Sequence, residues 1–212
     1  MEPTVTLVDP SFEILTPLDE IADYARRLEA AGRTCYKSED KITADSADQF
    51  VRRLVRMGHT SVLEHCVITV RIIGDRAMTH QLVRHRIAAY SQESQRYCDY
   101  GKKGFQVVLP PSVAKSPELT AVWKKQMVEA YKVYLALRDA GVRPEDARSV
   151  LPNAAKTEIV ATYDLRQWRH VFGERALNNR AQWQIRQITR GILDRFIELL
   201  PAVFDDLVPQ DQ

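Results

Sequence analysis

Cysteine is scarce, with three in 212 residues. Cys35, Cys66 and Cys98 are odd in number and widely spaced, with no CxxC, which excludes a disulfide framework and fits reduced thiols in a cytoplasmic protein. No apolar run approaches the ~20 residues that span a bilayer. The opening "MEPTVTLVDPSFEIL" lacks a basic start followed by an apolar stretch, so no signal peptide is expected. Glycine-rich phosphate loops are missing: neither GxGxxG nor GxxxxGKS occurs, which removes Rossmann-type dinucleotide binding and P-loop chemistry. GxSxG is also absent, so no serine sits on a hydrolase elbow.

An excess of one charge is lacking as well. Thirty Lys+Arg stand against 28 Asp+Glu, a formal net charge of +2, which argues against coating nucleic acid by bulk charge and makes any anion site local. His59 and His65 lie six apart, and neither they nor His80 and His85 have a zinc-helix spacing, so no metal is expected. No repeat, low-complexity segment or linker divides the chain. Residues 1–212 read as one domain of ordinary composition, 45% hydrophobic and 27% charged, with disorder expected only at ends such as "VPQDQ".

What is present is a succession of helices and short strands. "TVTLVD" reads as a strand. "TPLDEIADYARRLEAAG" reads as one helix, capped by Thr16 and ended by Gly32, and "SADQFVRRLVRMG" as a second. "HCVITVRII" alternates Cys66, Ile68, Val70 and Ile72 on one face, with a break expected at Gly74–Asp75. "RAMTHQLVRHR" reads as a helix with Met78 and Leu82 inward. "FQVVLPP" is a strand. "SPELTAVWKKQMVEAYKVYLALRDAGV" is the longest helix, capped by Ser116 and ended by Gly141. A short helix in "RPEDARSVLP", a strand in "KTEIVATY" and two closing helices, from Asp164 to about Ala176 and from about Asn179 to Leu200, complete the chain. Strands and helices do not alternate regularly, which predicts an α+β fold: an antiparallel or mixed sheet flanked by helices.

Three polar islands interrupt this pattern. "RHRIAAYSQESQR", Arg84 to Arg96, gathers three arginines with serines, glutamines and a glutamate. Guanidinium forks suit phosphate oxygens, and amides and carboxylates can read a heterocycle's edge, so the mixture suits a nucleotide. "GHTSVLEH", Gly58 to His65, sits at a helix-to-strand junction. "DLRQWRHVFGERA" places Arg166, His170 and Arg175 at roughly helical spacing. On residue types alone, each island also reads as a solvated polar face or a capped turn.

Together they carry a resemblance. "RHRIAAYSQESQR" resembles the RHRxxSxxxxSxR signature of the flavin-dependent thymidylate synthases, "GHTSVLEH" their upstream GHxSxxEH element, "ARSVLP" their downstream arginine turn, and "DLRQWRHVFGERALNNRAQWQIR" their late flavin- and substrate-binding helix. The elements fall in the family's order from about Gly58 to Arg186. The resemblance implies reductive methylation of dUMP to dTMP, with methylenetetrahydrofolate as carbon donor, NADPH as reductant and FAD as hydride carrier. It also implies an α+β homotetramer whose active sites are built from several subunits, with no covalent enzyme nucleophile.

Carried over position by position, the family pattern assigns Ser61, Glu64, Arg84, His85, Arg86, Ile87, Gln92, Arg166 and His170 to FAD. It assigns Gln81, Arg84, Gln92, Glu93, Ser94, Gln95, Arg96, Arg148 and Arg175 to dUMP. Arg96 is the expected phosphate clamp, and Arg175 the catalytic group that stabilises charge on the uracil ring. His59 and Arg86 are nominees for the folate. None of the three cysteines has the Pro-Cys-His setting of the cysteine-dependent thymidylate synthases, and Ser94 is read as a ligand-binding hydroxyl, since a serine nucleophile needs an adjacent base.

The chain departs from the pattern at three places. Ala89 replaces a serine, Asp164 stands where an asparagine is usual, and the stretch between Arg175 and AQW is one residue longer. A rival reading keeps the Arg84–Arg96 segment as the phosphate clamp of a non-enzymatic nucleotide- or RNA-binding module, which predicts a colourless protein and affinity that falls steeply with salt.

Overall fold

The computed structural model describes residues 3–208. The expected disorder of the final residues falls mostly on positions outside that range. In chain order the principal elements are β1 (Val5–Leu7), β2 (Ser11–Ile14), α1 (Leu18–Ala22), α2 (Tyr24–Thr34), α3 (Ser46–Arg56), β3 (Val67–Asp75), α4 (Arg76–Leu82), β4 (Ala89–Gln92), α5 (Tyr100–Lys103), β5 (Phe105–Val107), α6 (Pro111–Ala114), α7 (Pro117–Asp139), α8 (Pro144–Ala147), β6 (Lys156–Asp164), α9 (Leu165–Val171), α10 (Trp183–Leu199) and α11 (Pro201–Phe204). A π-helical turn, Phe172–Ala176, follows α9 directly. The class is α+β, as the irregular element order predicts. Strands β1 and β5 pair in parallel, and the remaining four follow the order β2-β3-β6-β4.

Contacts divide the chain into two compact units. The first comprises 1–11, 72–81 and 91–159, and the second 12–71, 82–90 and 160–212. The boundaries fall within β2, β3, α4, β4 and β6.

The first unit is built on α7. Ser116 caps it by accepting from the Leu119 amide at 3.2 Å, and Gly141 ends it at φ +83°, a backbone state that favours glycine. Met127, Tyr131 and Tyr134 from one face of α7 bury against Phe105, Val107, Tyr100 and Ala147. The Phe105 and Tyr131 rings stack at 5.3 Å. Pairing in this unit is mixed: β1 is parallel to β5, and Val107 forms an antiparallel bridge with Ala155. Gly74–Asp75 does not break β3 as expected. The strand runs through Asp75, whose carboxylate then caps α4 by accepting from the Met78 amide at 2.7 Å.

The second unit is centred on Trp168 of α9. Its ring stacks on Phe172 at 5.4 Å and meets Tyr163 and Phe196 edge-on at 4.6 and 5.2 Å. Its indole N–H donates to the Ile68 carbonyl at 3.0 Å, so burying the ring leaves no polar atom unpaired. Cys66, Ile68 and Val70 alternate inward as the sequence predicts.

Two expectations fail in this unit. Thr16 does not cap the first helix; its hydroxyl accepts from the Thr69 amide at 2.8 Å, and α1 and α2 are separate helices with Asp23 between them. Gly32 does not end α2, which continues to Thr34. It lies where a Cβ would stand 2.7 Å from Phe50 Cε1, so its role is close approach to α3. Both errors come from partners distant in sequence. The short strands β2 and β4, too brief for a periodic signal, go unpredicted.

Candidate functional site

The sequence-nominated residues fall into two clusters, one in each unit. In the second unit, α4 stops at Leu82, so Arg84–Ile87 lies beyond the helix. The side chains divide sharply there. Arg84 and Arg86 are exposed and Ile87 is 71% exposed, while His85 is only 6% exposed. An exposed apolar side chain directly after two exposed arginines offers apolar contact and guanidinium donors in one short segment, a combination suited to a flat ring carrying anionic oxygens.

His85 turns inward to meet the late segment. Arg175 Nε donates to His85 Nε2 at 3.0 Å, and the His85 and His170 rings contact edge-on at 5.5 Å. An Nε2 that accepts from a guanidinium carries no proton. Burial first, then the Arg175 and His170 charges, push the His85 pKa down to about 4. The ring is therefore neutral at pH 7, with its N–H on Nδ1. Arg175 lies in the π turn Phe172–Ala176 and not in a regular continuation of α9, where the sequence places it. Such turns occur frequently at functional sites. Because the register changes there, the spacing of Arg166, His170 and Arg175 does not form one helical face.

Arg166 pairs with Glu64 at 2.6 Å, both half exposed. Glu64 and Ser61 also line a cavity of about 620 Å³, shared with Cys35, Tyr36, His59 and His65. The upstream island thus meets the late helix through this ion pair. Asp164, one of the departures, accepts from the Gln167 amide at 2.7 Å and caps α9. Capping needs only an acceptor oxygen, which aspartate and asparagine both have, and this accounts for the substitution within the fold. Ala89 is exposed at the start of β4, and nothing in the structure explains the loss of a hydroxyl there.

In the first unit, Gln92–Arg96 leaves β4. Gln92 Nε2 donates to Thr79 and Thr157 Oγ1 at 3.0 and 3.2 Å, so its amide nitrogen faces the protein. Glu93 pairs with Lys156 at 3.0 Å and accepts from Tyr100 Oη at 3.0 Å, which fixes both carboxylate oxygens. Gln95 is buried. The Arg96 amide donates to Ser94 Oγ at 3.3 Å.

Arg96 is exposed, its guanidinium lies over the Tyr97 ring at 5.3 Å, and its Nε reaches Glu145 at 3.2 Å. Arg143 also pairs with the Glu145 carboxylate, and Arg148 Nε donates to the Glu145 carbonyl at 3.0 Å. Three arginines therefore gather around one residue. The sequence reading nominated Arg96 and Arg148 and missed Arg143 and Glu145. The only available signal was the charge-dense "RPEDAR", which also reads as a solvated turn. Gln81, at the end of α4, belongs to this unit too.

Comparison with known proteins gives a consistent answer. The family model described as "Thymidylate synthase complementing protein" matches residues 18–202. The chain is 41% identical over 199 residues to the flavin-dependent thymidylate synthase of Geobacter sulfurreducens, covering 91% of this chain and 85% of that protein. It is 39% identical over 196 residues to the flavin-dependent thymidylate synthase of Pyrococcus furiosus, covering 91% and 78%. Among solved structures, a UMP/dUMP methylase PolB from Streptomyces cacaoi bound with 5-Br UMP shares the fold with a TM-score of 0.79 at 20% identity, over 96% of each chain. With four motifs in order, and a family match running from α1 into α11, the chain belongs to the flavin-dependent thymidylate synthase family.

Proposed function

We propose that the protein methylates dUMP to dTMP reductively, taking the carbon from methylenetetrahydrofolate and electrons from NADPH, with FAD as cofactor. Membership of the family, at about 40% identity to named enzymes over nine-tenths of the chain, is the observation that carries the reaction.

The residues present fit a flavin. Exposed Ile87, next to exposed Arg86 and three residues after exposed Arg84, offers apolar contact in the same segment as cationic donors, and His85 of that segment is buried. Arg84, His85, Arg86 and Ile87 hold FAD together with Ser61, Glu64, Arg166 and His170. FAD, when bound, supplies the hydride that completes the methyl group.

The Arg96 and Arg148 guanidiniums hold the dUMP phosphate, with Ser94 as an additional donor. Charge-assisted bonds of this kind contribute about 1.5–3 kcal/mol each. Gln81, Arg84, Glu93 and Gln95 hold the remainder of the nucleotide. Gln92 reaches a ligand through its carbonyl oxygen, because its nitrogen is engaged by Thr79 and Thr157.

Arg175 is the catalytic residue. Its fixed charge stabilises the negative charge that develops when the uracil ring is polarised, so that C5 attacks the folate methylene without a covalent bond to the enzyme. His85 receives one of the Arg175 donors and so fixes the direction of the guanidinium. His59 and Arg86 contact the folate.

The working form is a homotetramer in the cytoplasm, with active sites shared between subunits. Leu119, Val122 and Val133 on α7 are 56%, 69% and 49% exposed, which supports burial of that helix against another copy. No helix among the described residues is long and apolar enough to cross a membrane.

The test is an absorbance spectrum of the purified protein. A flavin spectrum that bleaches on adding NADPH with dUMP, with dTMP formed once methylenetetrahydrofolate is supplied, is the expected result. A preparation that stays colourless after incubation with FAD overturns the reading.

A further inference from the structure

Tyr90 lies at the end of the Leu82–Tyr90 segment, and its hydroxyl meets three oxygens. The Leu82 and His85 carbonyls are each 2.8 Å away, and Tyr163 Oη is 2.7 Å away. A phenol has one proton, and two of these neighbours can only accept. The Tyr90 proton is therefore shared between the two carbonyls, and Tyr163 donates to Tyr90. Burial raises the pKa of both phenols, so both keep their protons throughout the working range.

The direction of this relay runs from the core to the loop. Tyr163 is 1% exposed and packs edge-on against Trp168 at 4.6 Å, in the buried core of the second unit. Leu82 is the last residue of α4, where a backbone carbonyl has no partner further along the helix. Its oxygen also accepts from the His85 amide at 3.2 Å, closing the turn that starts the RHR segment. One hydroxyl thus ties together both ends of the turn that presents Arg84 outward and His85 inward.

We propose that Tyr90, oriented by Tyr163, is a positioning residue for the Arg84–Ile87 segment and, through His85, for Arg175. The inference rests on the assignment of that segment to the flavin. Neither phenol touches ligand in this account. They act through the backbone of residues 82–85, and the His85 imidazole passes the constraint to the Arg175 guanidinium.

The relay makes an ordered prediction. In Tyr90→Phe the ring still fills its place, but the His85 carbonyl loses the Tyr90 donor and the Leu82 carbonyl is left with the His85 amide alone. In Tyr163→Phe, Tyr90 keeps its proton and both carbonyl bonds, and only its own orientation is relaxed. The groups facing the His85 ring are Arg175, His170 and Glu174, and both variants leave them intact. His85 titration followed by nitrogen-15 NMR in flavin-free protein therefore reports the ring's position, and FAD titration by fluorescence quenching reports the loop.

Tyr90→Phe is expected to move the His85 midpoint upward, toward the ordinary histidine value, and to weaken FAD binding by about tenfold. Tyr163→Phe is expected to move both in the same direction by less. Wild-type values of both in Tyr90→Phe overturn the proposal, even if the melting temperature falls, because a hydroxyl that only stabilises the fold leaves them unchanged. A larger effect in Tyr163→Phe than in Tyr90→Phe overturns the direction of the relay. If wild-type protein does not bind FAD, the flavin assignment fails, while the His85 midpoint in the two variants still decides the positioning role.

Discussion

Arg175 Nε donates to His85 Nε2 at 3.0 Å, joining residues 90 positions apart. One is in the turn after α4 and the other in the π turn after α9. The bond settles the protonation of the histidine and constrains the direction of the arginine.

The first prediction concerns pH. The folded-state pKa of His85, about 4, lies below the ordinary value of 6.5. Between these values the unfolded chain binds more protons than the folded one, so stability rises with pH across that window. The stabilisation is full above about pH 6.5 and is lost as pH falls toward 4. The check is thermal unfolding of wild type and His85→Gln between pH 4 and 7. Wild type should lose more stability on acidification than the variant.

Arg175→Ala should retain flavin and lose dTMP formation by about 10²–10³. It also removes a positive charge from beside His85, so the histidine midpoint should rise. Flavin content by absorbance, turnover by product chromatography and the His85 titration together separate loss of charge stabilisation from loss of cofactor. Wild-type turnover would remove Arg175 from the chemistry.

Arg96→Ala should weaken dUMP binding by about 10- to 100-fold with flavin still bound, as expected for loss of one charge-assisted contact to phosphate. Calorimetric titration with dUMP and, in parallel, with deoxyuridine is the measurement. Affinity for the nucleoside should change little, because it has no phosphate to lose.

Asp164→Ala removes the acceptor for the Gln167 amide at the start of α9 and should cost about 1 kcal/mol of stability. Asp164→Asn should come within a few tenths of wild type. Denaturant midpoints resolve the two. An equal loss in both variants would mean that the carboxylate charge, not the cap, is what matters there.

Gly32→Ala should destabilise by about 1–3 kcal/mol, although alanine is the better helix former. The new methyl would stand 2.7 Å from Phe50, whose ring is itself buried and flanked by the Arg33 and Arg53 guanidiniums at 4.6 and 5.4 Å. A thermal shift assay decides the sign.

The sequence by itself determined what depends on near neighbours. The cap at Ser116, the stop at Gly141, the inward alternation of Cys66, Ile68 and Val70, and the α+β class follow from spacing and local hydrogen-bonding preference, which act within a few residues. The motif order was equally legible and led to the family. Only the tertiary structure decided where those groups meet. Thr16 is used by Thr69 and not by the helix it precedes, and Gly32 serves the approach of Phe50. Glu145 gathers Arg96, Arg143 and Arg148, and Tyr163 reaches Tyr90 across 73 positions. These partners are chosen by packing. The energy of a hydrogen bond or a ring contact depends on distance in space, and residue order fixes that distance only after the chain has folded.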